Sequence, residues 1–127
     1  MILTTTIDGL HVTPKNRNFT VSMGARMAEA AKTRKTREQV RLRVLALVGR
    51  RAIVGVPKVT LTRLSAGTLD RGAVWESLKS AWDGVADGLG LRDDRELQER
   101  GDVRQEKCPR GSCGVRIEIV LNAEDGQ

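Results

Sequence analysis

An α+β domain with about four strands and two main helices is the fold this sequence predicts, from three observations. Segments follow one another as strand, helix, strand, helix, strand, strand, an order that places helices on one sheet. Val115, Ile117, Ile119 and Leu121 alternate with Arg116, Glu118 and Val120, the two-residue period of a half-buried strand. Val74, Leu78, Ala81, Trp82, Val85 and Leu89 recur at helical spacing. A length of 127 residues suits one domain, spanning 1–127 with a polar tail over 122–127.

Each element has its own signal. Ile2 to Ile7 alternates and is rich in β-branched residues, which predicts a short strand closed by the turn at Asp8-Gly9. Leu10 to Asn18, with Pro14, reads as a loop. Residues 24–49 form the first helical region. Val40, Val44, Leu47 and Val48 mark its buried face, and Gly49 is its C-terminal cap. Thr36 to Gln39 fits a capping box, which predicts that the regular helix starts there, with 23–35 as a separate segment or arm.

Val59 to Leu64 reads as the second strand, after the breaker Pro57. Ala73 to Leu89 reads as one continuous helix. Gly84 and Gly88 inside it each cost about 1 kcal/mol against alanine, so another backbone, of the sheet or of a partner subunit, is expected to come close. Gly90 to Glu96 reads as a loop, Leu97 to Lys107 as a polar strand, and Cys108 to Cys113 as a hairpin tip.

Composition removes several function classes. Phe19, Trp75 and Trp82 are the only aromatics, too few for a base-stacking platform on single strands. No apolar run approaches the roughly 20 residues that span a bilayer, and the opening residues lack the pattern of a signal peptide. A soluble protein of the cytoplasm, with no membrane partner and no small-molecule cofactor, is therefore expected. One histidine excludes a Ser/His/Asp set, and a structural zinc site cannot be completed from His11, Cys108 and Cys113. Such a location favours those two cysteines as free thiols beside a turn.

Charge is unevenly placed. The net charge is +6, yet residues 1–66 carry 13 Lys/Arg against 3 Asp/Glu, whereas residues 67–127 carry 9 against 13. Lys32, Arg34, Lys35, Arg37, Arg41 and Arg43, with Lys15 and Arg17 in the earlier loop, are dense enough to contact several phosphates. Arginine predominates, and its planar fork suits phosphate. A solvated helix face is the rival account. In the acidic half, Asp70 precedes the second helix, Lys79 lies on it and Asp93-Asp94 follows it. Converging carboxylates would hold Mg²⁺, and a nearby lysine would stabilise transition-state charge. The competing account makes Asp70 an N-cap and leaves the aspartate pair solvated. Glu76, Lys79 and Asp83 at i, i+3, i+7 read as intrahelical ion pairs.

The stretch from Leu69-Asp70 through Leu78-Lys79-Ser-Ala-Trp-Asp83 to Asp93-Asp94, followed by Val115-Arg-Ile-Glu-Ile119, resembles the RusA family of Holliday junction resolvases, common in phages and prophages. Val59-Thr-Leu-Thr-Arg63 extends the likeness upstream, and Asp8-Gly9-Leu10 with Pro14-Lys-Asn16 extends it faintly further. The resemblance implies a mixed sheet, a homodimer and a cytoplasmic location in a bacterial or phage-infected cell. It also implies Mg²⁺-dependent nicking of four-way DNA junctions in recombination and repair. By position it makes Asp70, Lys79, Asp93 and Asp94 catalytic, with Asp70, Asp93 and Asp94 on the metal. Arg71, Gly72 and Ala73 stand where the family carries further aspartates and an asparagine, and Glu76 is the nearest acid that could replace them. That departure motivates the alternative: a RusA-like protein that binds junctions without cutting.

Overall fold

The computed structural model describes residues 1–10, 12, 23–109 and 113–121. Its elements run β1 (Ile2–Asp8), α1 (Met23–Val48), β2 (Lys58–Ser65), α2 (Arg71–Ser77), α3 (Lys79–Leu89), α4 (Arg95–Arg100), β3 (Asp102–Lys107) and β4 (Gly114–Val120). The expected α+β class is what the chain adopts, with a four-stranded mixed sheet in the order β1-β4-β2-β3. β4 is antiparallel to both β1 and β2, whereas β3 runs parallel to β2.

Register explains the core. Leu3 lies opposite Ile119, which faces Val59; Ile117 faces Leu61, which lies beside Val103. These side chains are buried together with Trp82, Val85, Leu78, Leu97, Val40 and Val44 from the helices. Fully covering an aliphatic or aromatic side chain contributes about 1.5–3 kcal/mol, so this shared face dominates the fold's stability. The alternate strand positions are polar: Thr4, Glu118, Thr60 and Asp102 form one row, and Thr6, Arg116, Thr62 and Arg104 the next. Arg116 and Glu106 join across that face with two hydrogen bonds of 3.0 Å. Among the described residues, no helix is long and apolar enough to cross a membrane.

α1 packs chiefly on α3 and also touches β1. The close approach expected at Gly84 and Gly88 comes from α1, not from the sheet or a partner subunit. A Cβ on Gly84 would sit 2.5 Å from the Arg37 carbonyl oxygen, and one on Gly88 2.7 Å from Val44 Cβ. At Gly90 the backbone is left-handed (φ 73°), and the cap closes with its N–H donating to the Asp87 carbonyl.

Several expected boundaries shift for local reasons. α1 is continuous from Met23, and Thr36 lies buried within it instead of capping a helix start. The helix expected over 73–89 breaks at Leu78 (φ −97°, ψ 7°). There the Ser77 hydroxyl donates to the Val74 carbonyl at 2.7 Å, a back-bond that bends helices, and Trp75 stacks on Trp82 across the bend, with ring centroids 5.7 Å apart. α4 occupies the start of the segment expected to be a strand, supported by Arg95–Glu99 and Glu96–Arg100 pairs at i, i+4. β3 and β4 do not form a hairpin, because β2 lies between them. The middle of the expected tip and the tail 122–127 lie outside the described residues.

Candidate functional site

The break at Leu78 decides where the acidic half of the chain places its charges. It makes Lys79 the first residue of α3 and aims its ammonium at the start of α4. Lys79 Nζ lies 3.0 Å from Asp94 Oδ2 and 3.5 Å from Asp83 Oδ1. A cation at a helix N-terminus is opposed by the helix dipole, so these two carboxylates offset an intrinsic cost. Gln98, one turn along α4, also donates to Asp94 Oδ2, at 2.5 Å.

Burial separates the partners. The Asp94 side chain is 11% exposed, while that of Lys79 is 61% exposed. Burial alone would push the Asp94 carboxyl up, but hydrogen bonds from Lys79 and Gln98 overcome it and hold the group below the usual range. The Asp83 carboxyl moves the other way, raised by burial first and by the neighbouring Asp94 charge second. The hydrogen bond to Asp94 raises the Lys79 ammonium in turn. On the outer side of α3, Asp87 accepts two hydrogen bonds from Arg37, of 2.6 and 2.9 Å, and so ties α1 to the cluster.

The expected site residues are thus partly united. Lys79 and Asp94 meet. Asp93 is exposed, and its Oδ1 accepts from the Arg95 N–H at 3.1 Å. Asp70 is the N-cap of α2, accepting from the Ala73 N–H at 2.9 Å. That helix has seven residues, so Asp70 and Lys79 lie at its opposite ends, about 10 Å apart along the axis. Among the described residues, no three His, Cys, Asp or Glu side chains are grouped to hold a metal ion. Each of the three expected carboxylates serves a local donor: Asp70 the Ala73 N–H, Asp93 the Arg95 N–H, and Asp94 the Lys79 ammonium and the Gln98 amide. Position 71, where the resemblance calls for an acid, carries an arginine paired to Asp102 at 3.0 Å.

The basic set divides as well. Arg37 is joined to Asp87 and Arg41 to Glu38, and Arg43 donates to Thr5 and to the Thr6 carbonyl. Arg37 and Arg41, both expected to grip phosphate, are thus paired with carboxylates within the fold. Lys32, Arg34 and Lys35 are exposed and have no ion pair among the described residues. They belong to the first half of α1, which has no buried residue before Thr36 and exposes Met23 and Met27. Lys15 and Arg17 lie outside the described residues.

Sequence reasoning missed the roles of Gln98 and Asp87, and saw Asp83 only as an intrahelical partner. The i, i+4 spacings Lys79–Asp83 and Asp94–Gln98 were visible signals; the fold brings the two pairs together. No family model matches this chain, and no curated protein matches it.

Proposed function

We propose that this chain is a RusA-like protein that binds branched DNA through the projecting basic half of α1 and does not cut it. One observation carries this reading. From Met23 to Lys35 the helix stands clear of the core, with Lys32, Arg34 and Lys35 unpaired by carboxylates among the described residues. At 1.5 Å per residue this half extends about 20 Å, and a helix of that size fits the major groove. An isolated helix of about 13 residues is marginal in water, so a polyanion lying along it would supply the stabilisation the core does not. The carboxylates that cutting would need are engaged by Lys79, Gln98 and backbone N–H groups instead. Two copies would present two such helices to the arms of a junction.

The test is binding of a synthetic four-way junction and of linear duplex over a range of salt. Wild type is expected to prefer the junction. The triple change Lys32→Glu, Arg34→Glu and Lys35→Glu should weaken binding and lower the salt slope by about 2–3, near 0.9 for each lost phosphate contact. Equal affinity for junction and duplex, or an unchanged slope in the triple variant, overturns the reading.

A second reading, the Mg²⁺-dependent resolvase, is favoured by one contact: Lys79 lies against Asp94, the juxtaposition the resemblance implies. Junction nicking by wild type in Mg²⁺, lost in Asp94→Asn, would favour it over binding alone. Absence of nicking at enzyme excess, with junction binding intact, favours the first.

A further inference from the structure

Cys108 and Cys113 sit together at one end of the sheet. Ser65, the last residue of β2, lies opposite Lys107 on one side, and Leu64 lies opposite Gly114 on the other. Each cysteine is therefore one residue beyond a paired strand, on either flank of the end of β2. Both are fixed by the backbone. The Cys108 N–H donates to the Ser65 carbonyl at 3.1 Å, and the Cys113 carbonyl accepts from the Gly9 N–H at 2.8 Å. Both residues are half-buried, and neither is in a disulfide. No core contact or proposed DNA contact uses them.

We propose that Cys108 and Cys113 form a reversible thiol–disulfide site that is oxidised by small disulfides of the glutathione type. The fold sets the two cysteines on either flank of the end of β2, with only four residues between them in sequence. Half-burial leaves a path for a small oxidant, while the backbone anchors hold the pair in place. A disulfide bond joins sulfurs about 2.0 Å apart and needs Cα atoms within about 7 Å, so closure draws the ends of β3 and β4 together just past the end of β2.

The exchange balances in two steps. One cysteine loses its proton and attacks a sulfur of the oxidant; the oxidant's S–S bond breaks, and its first half leaves as a thiolate that takes up a proton. The second cysteine, deprotonated in turn, attacks the protein sulfur of the mixed disulfide and expels the other half, which is protonated likewise. The protein gives up two protons and two electrons, and the oxidant takes them up to become two thiols. Burial first, and the neighbouring Cys113 second, hold the Cys108 thiol above its ordinary range. Since the thiolate is the nucleophile, the exchange quickens as pH rises.

The experiment uses the full chain, reduced and then incubated with oxidised glutathione without oxygen, quenched in acid and weighed intact. The expected product is monomeric, lighter by two hydrogens, refractory to alkylation, and yields a Cys108–Cys113 cross-linked peptide. Dithiothreitol should restore both thiols. Cys108→Ser and Cys113→Ser should each stop as the glutathione adduct, since the second attack is missing. Three results overturn the proposal: wild type stopping at the mixed disulfide, cross-linking between two chains, or thiols that stay reduced while a free-thiol peptide in the same tube exchanges. The wild-type products alone decide the matter if a serine variant fails to fold.

Discussion

Gly84→Ala tests whether α1 is seated by contact with the α3 backbone. A methyl group there would meet the Arg37 carbonyl oxygen at 2.5 Å, Val40 Cβ at 2.7 Å and Val40 Cγ1 at 3.0 Å. Ordinary contact begins near 3.4 Å, so the helices must separate by about 0.9 Å at this point. The obstacle is backbone and the fully buried Val40, neither of which can swing aside. Overpacking of this kind costs about 1–3 kcal/mol, while alanine returns about 1 kcal/mol of helix propensity. Taken at the middle of that range, a net loss of about 1 kcal/mol is expected, which at this chain length lowers Tm by about 4 °C. Urea denaturation followed by circular dichroism measures it. An unchanged or higher midpoint, with α1 still helical, would refute the idea that glycine is required for this contact. Gly88→Ala meets Val44 in the same way, at 2.7 Å from its Cβ. Both changes push on one helix, so the double variant should lose less than the sum of the singles.

Other expectations concern the charge cluster and the core. Lys79→Met leaves the buried Asp94 without its cation and should cost about 1–3 kcal/mol in urea melts, with Gln98 limiting the loss. Asp94 is held below the usual carboxyl range in the fold, so its stabilisation is present above the unfolded value and disappears as pH falls through the folded one. Asp94→Asn should therefore be less stable than wild type near neutrality, with the gap narrowing in acid. Asp83 has the opposite sign: its folded value is raised, so its cost appears as pH rises through that value. Asp83→Asn should be at least as stable as wild type near pH 7 and lose that margin in acid, which urea midpoints across pH will show. Trp82→Ala should cost about 3–5 kcal/mol. Trp82→Phe should cost much less, because the indole Nε1 it removes has no hydrogen-bond partner among the described residues.

Alternation and β-branched content located β1, β2 and β4 to within a residue or so, because each buries one face and the pattern records that burial. α1 and the stripe of α3 were legible for the same reason at helical period. The break at Leu78 was not, since it depends on a serine hydroxyl competing for a carbonyl and on two tryptophans stacking across the bend. α4 was hidden because Leu97 is its only buried residue, too little to establish a period. In the candidate site, Lys79 and Asp94 could be paired by the resemblance, but Asp70 could not be placed from spacing. Its distance from them is set by the length of α2, and its carboxylate by a local N-cap bond. The ion pairs that occupy Arg37 and Arg41 come from carboxylates 50 residues and one turn away respectively. Charge density alone could not tell them from the exposed Lys32, Arg34 and Lys35.

Among the described residues, the only sheet neighbour of β1 is β4, and the Leu121 N–H donates back to the Met1 carbonyl at 2.9 Å. During synthesis the first strand therefore waits on the ribosome for a mate translated long after it. Ordering such distant segments is slow, because loop-closure entropy must be met before the pairing rewards it. Joining Met1 to Leu121 with a short linker and opening the chain elsewhere would turn this longest-range pairing into a local hairpin, and the permuted protein should refold faster than its parent.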